Sequence, residues 1–485
     1  MSKGLRGGSL RFLEQKDVER IHAAALTLLE RHGVLSESDL IVDLFRRSGA
    51  NVNRESRIIR LSPDMVSAAL ESAPHSFTFH GRDARYDLPL EPGRVYYGMG
   101  GTSEPFFWDY SLGKPRPPTK ADMVACTRVG QCLSHIDFVM ALCSAGDVPG
   151  DQVFLHEYDA IFRNTTKPVL YTAPGERYAN AFLQMAAAAC GGESELRRRP
   201  WVMLFTQTIA PLKIGSYSEG MFQAAELGVP ILASTGPMMG ATGPVTLAGE
   251  LAQTHAEALF GVVMSQLIKP GTPVVYGPHV AVMDMRTGQC TYGSPEQSLG
   301  RTAIAQIGRF LGLPTFGLGG GVEAKVPDAE AAAEAMMGML LNALSGLTLT
   351  QCLGTLASGS YGSLEMLLIC DEIVHMIERV MAGIKVNDET LALDVIEEVG
   401  FQGNFLTHMH TTRFFREELF LPQLFRREGI DQWVAQGARP VVETAQDVVR
   451  DILAKAGPVP LPPGADEEMR RVMQRAVEEL TAQPD

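Results

Sequence analysis

Short apolar runs alternate with longer amphipathic segments along most of the chain after Pro92. Each run is only a few residues long and almost continuously hydrophobic, which is typical of a strand buried on both faces of a parallel sheet. Strands that alternate with helical segments predict parallel βαβ units. Eight such runs occur, at residues 95–99, 137–143, 168–172, 201–206, 230–234, 273–277, 314–318 and 347–351.

Helical spacing of apolar positions connects these runs. The predicted helices cover residues 120–133, 152–163, 178–189, 217–227, 247–268, 294–311, 328–344 and 364–382. Eight units predict an α/β fold of the closed (β/α)8 barrel (TIM barrel) type, with an open doubly wound sheet as the alternative. Because such a barrel takes about 250 residues, the rest of the chain is expected to form extensions.

Three parts follow from this pattern. Residues 1–92 are predicted to form an N-terminal helical extension with a small β element, since helical spacing at 16–32, 36–48 and 62–72 precedes alternation at 76–80. Residues 93–382 are predicted to form the barrel. Residues 383–485 are more polar and predict a C-terminal helical extension that ends in a helix at 465–482.

Charge and composition narrow the class of protein. A formal net charge of −14 argues against nucleic acid as a partner, because phosphate binding requires a basic surface. No apolar run approaches the roughly 20 residues that span a bilayer, and no signal peptide is recognised. Seven cysteines without a CxxC pair favour a reducing compartment, so a cytoplasmic protein is expected. His408 and His410 lack further ligands nearby, and no metal site is predicted.

The active site of such a barrel lies where the strands end. Glu323 and Lys325 are the candidate catalytic residues. Polar residues end or follow the other predicted strands, namely Thr102, Glu104, Ser144, Asp147, Thr172, Gln207, Thr208, Ser234, Thr235, His279 and Gln351. Aromatic rings near carboxylates suit a quaternary ammonium ion. Glycines at the same ends allow a large flat ligand to approach the backbone. The candidate substrate-binding residues are Tyr96, Tyr97, Phe106, Phe205, Gln207, Tyr276, His279 and Tyr292, and the candidate cofactor-binding residues are Gly100, Gly101, Gly236, Gly319, Gly320 and Gly321.

Several long segments in one order resemble the trimethylamine methyltransferase superfamily. They are GMGGTSEPFFWDYSLGKPRPPTKADM (98–123), STGPMMGATGPVTLAGELAQTHAEALFGVV (234–263), PVVYGPHVAVMDMRTGQCTYGSPE (273–296), GLGGGVEAKVPDAEAAAEA (317–335) and LALDVIEEVGFQGNFLTHMHTTRFFREEL (391–419). The resemblance implies a barrel enzyme that moves a methyl group from an amine to the cobalt of a cobalamin. That cobalamin is carried by a separate corrinoid protein, which docks where the strands end.

The resemblance also bears on the substrate. Members of the superfamily that act on trimethylamine use a pyrrolysine, whereas this chain has only standard residues, with Ala324 or Lys325 near the corresponding position. Members without pyrrolysine are associated with quaternary amines such as glycine betaine. We therefore expect a non-pyrrolysine member that binds a quaternary amine in an aromatic cage, with His279, Gln207 or Lys325 holding a carboxylate tail, and that forms a homo-oligomer.

Two alternatives remain at this point. One is a barrel that binds a betaine, or serves in regulation, without catalysing the reaction. The other is a different small-molecule barrel enzyme, which would require a catalytic base such as His279.

Overall fold

The fold was taken from a computed structural model that describes residues 4–102 and 104–482, with only the backbone of Thr102. All eight predicted runs are strands, and they pair in parallel in the order β6-β5-β4-β3-β2-β1-β8-β7. Their bounds are β1 Arg94–Thr102, β2 Phe138–Ala141, β3 Val169–Thr172, β4 Val202–Gln207, β5 Ile231–Thr235, β6 Val274–Pro278, β7 Phe316–Leu318 and β8 Leu349–Leu353.

The sheet closes between β6 and β7. The backbone N–H of Tyr276 donates to the carbonyl oxygen of Pro314 at 2.9 Å, and Tyr276 forms a parallel bridge with Thr315. This contact joins the two ends of the strand order, so the fold is a (β/α)8 barrel, as predicted, and not an open sheet. At β1 the register with β2 shifts beyond Met99, where Gly100 has a φ of 69°.

Helices follow the strands and cover the outside of the barrel. Local sequence signals set their ends: Ser294 caps one helix by accepting from the N–H of Gln297, and Gly312 ends it in a left-handed conformation. The helix predicted from residue 217 begins later, because Ser216–Glu219 forms a 3₁₀ turn. The helices are α1 Lys120–Cys132, α2 Val153–Phe162, α3 Gly175–Cys190, α4 Gly220–Leu227, α5 Leu247–Ile268, α6 Pro295–Leu311, α7 Ala329–Ser345 and α8 Leu364–Met381.

Alternate residues of the strands fill the barrel interior as one buried cluster, which is separate from the layer between strands and helices. A hairpin of Phe77–Phe79 and Leu88–Leu90 closes the N-terminal end of the barrel and contributes to the same cluster. The cluster consists of Phe79, Leu88, Leu90, Tyr96, Phe138, Met140, Leu170, Met203, Phe205, Leu232, Val275, Phe316 and Leu349. The opposite end, where the strands finish, is called the mouth below.

The remaining N-terminal elements pack around the barrel. Leu5–Arg6 pairs antiparallel with β1, and a small sheet of Val34–Ser36, Asn51–Asn53 and Ile58–Arg60 extends to Lys213–Ile214. The helices are Gln15–Thr27, Asp39–Arg47 and Pro63–Ser72, close to the predicted segments, and a π-helical turn follows the first of them. The division of the chain at residues 92 and 382 stays a prediction.

The C-terminal residues form further helices, of which the longest two dock on the barrel. Val441–Lys455 packs against α8 and α1, and Ala465–Ala482 packs along α3. Between α8 and these helices, the chain exposes many large apolar side chains, including Ile384 and Phe401. No described helix is long and apolar enough to cross a membrane. The shorter helices are Asp388–Leu391, Leu393–Val399, Met409–Glu418 and Ile430–Ala435.

We predict that Phe79→Ala destabilises the protein by about 3–5 kcal/mol, because it leaves a cavity at the closed end of the barrel. The side chain of Phe79 is fully buried in the interior cluster. Chemical denaturation followed by circular dichroism measures the loss. Phe401→Ala is the matched control, since Phe401 is fully exposed and its replacement should leave the midpoint unchanged. Equal midpoints for both variants would contradict the role given to the hairpin.

Candidate functional site

An aromatic floor lies below the mouth. The rings of Phe205 on β4 and Phe316 on β7 meet edge to face with centroids 6.0 Å apart, and the imidazole of His279 lies 5.4 Å from the Phe316 ring. Burial, and then the nearby charge of Arg301, lower the pKa of His279 to about 4. The imidazole is therefore neutral at pH 7, and its ring nitrogens have no hydrogen-bond partner among the described residues.

Three buried polar side chains at the mouth each have an atom without a partner. Within the described part of the chain, no group hydrogen-bonds to Oγ of Ser234, Oε1 of Gln351 or Oε2 of Glu104. They belong to three different strand ends, since Ser234 is on β5, Gln351 is on β8 and Glu104 follows β1. Buried polar groups in native proteins are nearly always hydrogen-bonded. Such a set at one end of a barrel indicates a site for a polar ligand.

Glu104 is the buried acid of this set. Its Oε1 accepts a hydrogen bond from the Thr355 hydroxyl at 2.7 Å. Burial raises the pKa of Glu104 to about 7, against the lowering effects of Thr355 and of nearby backbone N–H groups. Close to neutral pH, small changes in its surroundings therefore decide whether this carboxyl group is charged.

Tyr292 lies beside Glu104, in the loop before α6. A side chain at Gly321 would meet the Tyr292 ring at 2.9 Å and Cys352 at 3.2 Å, and one at Gly101 would meet Glu104 at 2.9 Å and Cys352 at 3.5 Å. Burial raises the pKa of Tyr292, so its phenol is neutral. This edge of the mouth thus combines an aromatic ring, a neutral thiol and the buried acid.

The two candidate catalytic residues hold the Tyr292 loop. The carboxylate of Glu323 accepts hydrogen bonds from the backbone N–H groups of Tyr292 and Gly293, the latter at 2.6 Å. Lys325 is exposed, and its ammonium group donates to the carbonyl oxygen of Glu323. These contacts give Glu323 a role in positioning the loop, and the participation of Glu323 and Lys325 in catalysis stays a prediction.

Three of the predicted cage tyrosines lie away from the mouth. Tyr96 points into the barrel, but its hydroxyl donates to Pro89 at the closed end. Tyr97 and Tyr276 face the helices, where the Tyr97 hydroxyl donates to Met339 at 3.0 Å and the Tyr276 hydroxyl pairs with His255 at 2.7 Å. Strand alternation turns Tyr97 and Tyr276 to the helices, whereas Tyr96 faces inward near the start of β1, at the closed end. We therefore leave these three residues out of the proposed cage.

Most of the candidate cofactor-binding glycines are explained by packing within the chain. Gly100, Gly101, Gly319, Gly320 and Gly321 are buried, and a side chain at any of them would press on neighbouring protein atoms. Gly236 differs, since it is exposed and would meet His279 only at an ordinary 3.7 Å. Contact between these glycines and a bound cofactor thus stays a prediction. Of the six, Gly236 is the one that is exposed.

The loops that leave the strand ends expose apolar side chains around the mouth. Phe106 follows β1, Ile209 follows β4, Val245 precedes α5 and Met285 follows β6, and each of the four is at least 43% exposed. Gln207, at the end of β4, is exposed at the same rim. A rim of this kind is typical of a surface that binds another molecule.

Sequence reasoning missed one buried charge near the mouth. Arg301 on α6 is buried, donates to Gln297 at 2.7 Å and to Ser298 at 2.8 Å, and forms no ion pair with a described carboxylate. Burial lowers its pKa to about 10, so it remains charged at pH 7. No signal in the sequence separates it from a solvent-facing arginine on an amphipathic helix.

His408 and His410 are the two histidines at which the sequence predicts no metal site. His408 caps the helix Met409–Glu418, because its Nδ1 accepts from the backbone N–H of His410 at 3.0 Å. The described residues include no group of three or more His, Cys, Asp or Glu side chains arranged to hold a metal ion.

Comparison with known proteins gives nearly full-length matches. The chain is 31% identical over 480 residues to trimethylamine methyltransferase MttB of Desulfitobacterium hafniense, covering 98% of this chain and 96% of that protein. It is 31% identical over 473 residues to a glycine betaine methyltransferase of the same species, covering 96% and 97%.

Solved structures give a weaker match. The monomethylamine methyltransferase (MtmB) of Methanosarcina barkeri aligns with a TM-score of 0.49 and 14% identity over 94% of this chain and 96% of that chain. The fold described above rests on the strand pairing and not on this likeness. The family described as Trimethylamine methyltransferase (MTTB) matches residues 5–481. Together with the full-length relatives, this match shows that the chain belongs to the trimethylamine methyltransferase family.

Proposed function

We propose that the protein transfers a methyl group from a quaternary ammonium compound, of the glycine betaine type, to the corrinoid of a partner protein. The observation that carries the proposal is the mouth itself, where the aromatic floor of Phe205 and Phe316 lies among buried polar atoms without partners. The glycine betaine methyltransferase that matches over nearly the whole chain supports this substrate class.

The chemistry of the donor also favours a quaternary amine. A tertiary amine must expel a poor leaving group, whereas a quaternary ammonium releases a neutral amine when its C–N bond breaks. The protein then needs mainly to orient the methyl group and to exclude water. No residue has to act as a base, and the lowered pKa of His279, about 4, makes its imidazole a weak one.

The mouth residues divide this task. The rings of Phe205, Phe316 and Tyr292 offer faces to the ammonium group. The hydroxyl of Ser234 and the neutral imidazole of His279 are unpartnered groups that can donate hydrogen bonds to a carboxylate tail.

The rim fits a corrinoid held by another protein. Phe106, Ile209, Val245 and Met285 form an apolar border, and Gly236 is an exposed glycine beside His279. Such side chains suit a flat macrocycle and the protein surface around it. The cobalt of that corrinoid, when docked, supplies the nucleophile that accepts the methyl group.

We also expect the protein to be cytoplasmic. All seven cysteines, which lie in the described part of the chain, are free thiols, and this favours the cytoplasm. The exposed apolar side chains of residues 384–434 are consistent with self-association, so a homo-oligomer stays our expectation.

We predict that glycine betaine is demethylated to dimethylglycine when the protein is mixed with a reduced corrinoid protein of this enzyme family. Mass spectrometry or proton NMR measures the dimethylglycine. Trimethylamine should give no dimethylamine, because this chain has no pyrrolysine to activate it. If none of a panel of quaternary amines loses a methyl group with any corrinoid partner while glycine betaine still binds, the protein is a binding protein.

We predict that Phe205→Leu weakens glycine betaine binding by about 1–2 kcal/mol, or roughly five- to thirtyfold, because leucine keeps apolar volume but removes the ring face. Titration calorimetry measures the affinity. Phe162→Leu is the matched control: Phe162 is a buried ring on α2 that packs against Trp201 outside the barrel. The same loss of affinity in both variants would argue against the aromatic floor as the binding surface.

A further inference from the structure

We propose that Glu104 is the counter-charge of the substrate's ammonium group, and that its carboxyl group gives up a proton when substrate binds and regains one after the methyl group leaves. This inference rests on the proposed function and adds a residue that selects the charge of the substrate. It starts from an atom that the protein leaves without a partner, Oε2 of Glu104, at the end of β1.

The surroundings of Glu104 explain why a bound cation would stabilise its ionised form. Oε1 is satisfied by Thr355 at 2.7 Å, whereas Oε2 is buried and accepts nothing from the described residues. No described lysine or arginine forms an ion pair with it, and the buried cation near the mouth, Arg301, donates instead to Gln297 and Ser298. An ionised carboxylate in that position is costly unless a positive charge is brought close to it.

The neighbouring groups leave Glu104 as the group that titrates. Tyr292 and Cys352 lie beside it and stay neutral, since burial raises the pKa of both. Cys143 on the β2 side also stays neutral, because a hydrogen bond with Cys126 and then burial raise its pKa. Glu157 on α2 is the carboxyl group whose charge raises the pKa of Glu104 further. A quaternary ammonium beside Glu104 has the opposite effect, because an adjacent positive charge favours the ionised form.

The charge balance through the reaction follows. When substrate binds, a protonated Glu104 releases one proton to solvent, and the carboxylate and the ammonium form a neutral pair. When the C–N bond breaks, its electron pair stays on nitrogen and the methyl group goes to the acceptor, so the bound amine is neutral. The neutral tertiary amine is a stronger base than the carboxylate, so it takes one proton from solvent and leaves in its ammonium form. The carboxylate is then again without a counter-charge and takes one proton back from solvent.

The test compares a charged ligand with its neutral carbon isostere. Glycine betaine and 3,3-dimethylbutanoate differ in that a carbon atom replaces the quaternary nitrogen, while shape and carboxylate are kept. Calorimetric titration of the full chain at pH 6, 7 and 8, in buffers with different ionisation enthalpies, gives both the affinity and the protons exchanged.

For the unmodified protein we expect betaine to bind about tenfold more tightly at pH 8 than at pH 6, because a carboxyl group with a pKa of about 7 ionises across this range. About half a proton should leave per betaine bound at pH 7. The isostere should bind more weakly than betaine and should not gain affinity as the pH rises.

Two variants separate the charge from the fold. Glu104→Gln keeps the shape and should lose the pH dependence, the proton release and most of the preference for betaine over the isostere. Thr355→Val keeps the carboxyl group but removes the hydrogen bond that lowers its pKa. The betaine affinity should therefore still rise with pH, but the midpoint of that rise should lie at higher pH. Glu365→Gln is the control, since Glu365 is a buried glutamate on α8 that interacts with Ser363. It should behave like the unmodified protein.

The outcomes are distinguishable. If betaine is demethylated but folded Glu104→Gln keeps the charge preference and the pH dependence, the inference is wrong and the proposed function stands. If Glu104→Gln does not fold, the Thr355→Val variant decides. The inference is overturned if the betaine affinity of that variant has the same pH midpoint as that of the unmodified protein. If neither ligand binds and no quaternary amine is demethylated, the proposed function fails, and the role of Glu104 fails with it.

Discussion

Closure of the parallel sheet is the constraint on which the rest of this structure depends. Strands buried on both faces must satisfy their backbone groups from neighbouring strands, and the contact between Tyr276 and Pro314 joins the two ends of the strand order. Once the sheet is closed, each strand residue faces either the interior or the helices. This two-residue alternation puts Phe205 and Phe316 in the floor of the site and turns Tyr97 and Tyr276 away from it.

The same closure explains why the site is at one end. The hairpin with Phe79 and Leu88 fills the N-terminal end with apolar side chains, whereas the strand ends on the other side finish in polar ones. Ser234, Gln351 and Glu104 thus bring unpartnered polar atoms into a largely apolar enclosure. Such an enclosure strengthens the interaction between a cation and a carboxylate, and it makes the ionisation of Glu104 depend on what is bound.

Positioning within the mouth depends on contacts that span long stretches of sequence. Glu323 holds the backbone of Tyr292, and Thr355 holds the carboxyl group of Glu104. The first pair joins the loop before α6 to the loop after β7, and the second joins the end of β1 to the chain after β8. Glu323, the acid that the sequence favours for chemistry, is thereby occupied in holding the backbone of Tyr292, while Glu104 keeps one carboxylate oxygen without a partner.

The sequence by itself determined the eight strands, the helices between them and the end of the barrel that carries the site, because burial on both faces and helical periodicity are local patterns. It also named Phe205, Gln207, His279 and Tyr292 as candidates near the strand ends, and their contact with a substrate stays a prediction. Only the tertiary structure decided which tyrosine faces inward, why most of the glycines are required, and that Arg301 is buried. It also decided that a buried carboxylate oxygen of Glu104 is left without a partner, whereas Glu323 accepts hydrogen bonds from the backbone of the Tyr292 loop. Those properties depend on the neighbours of each side chain, and the neighbours come from distant strands that only closure of the barrel brings together.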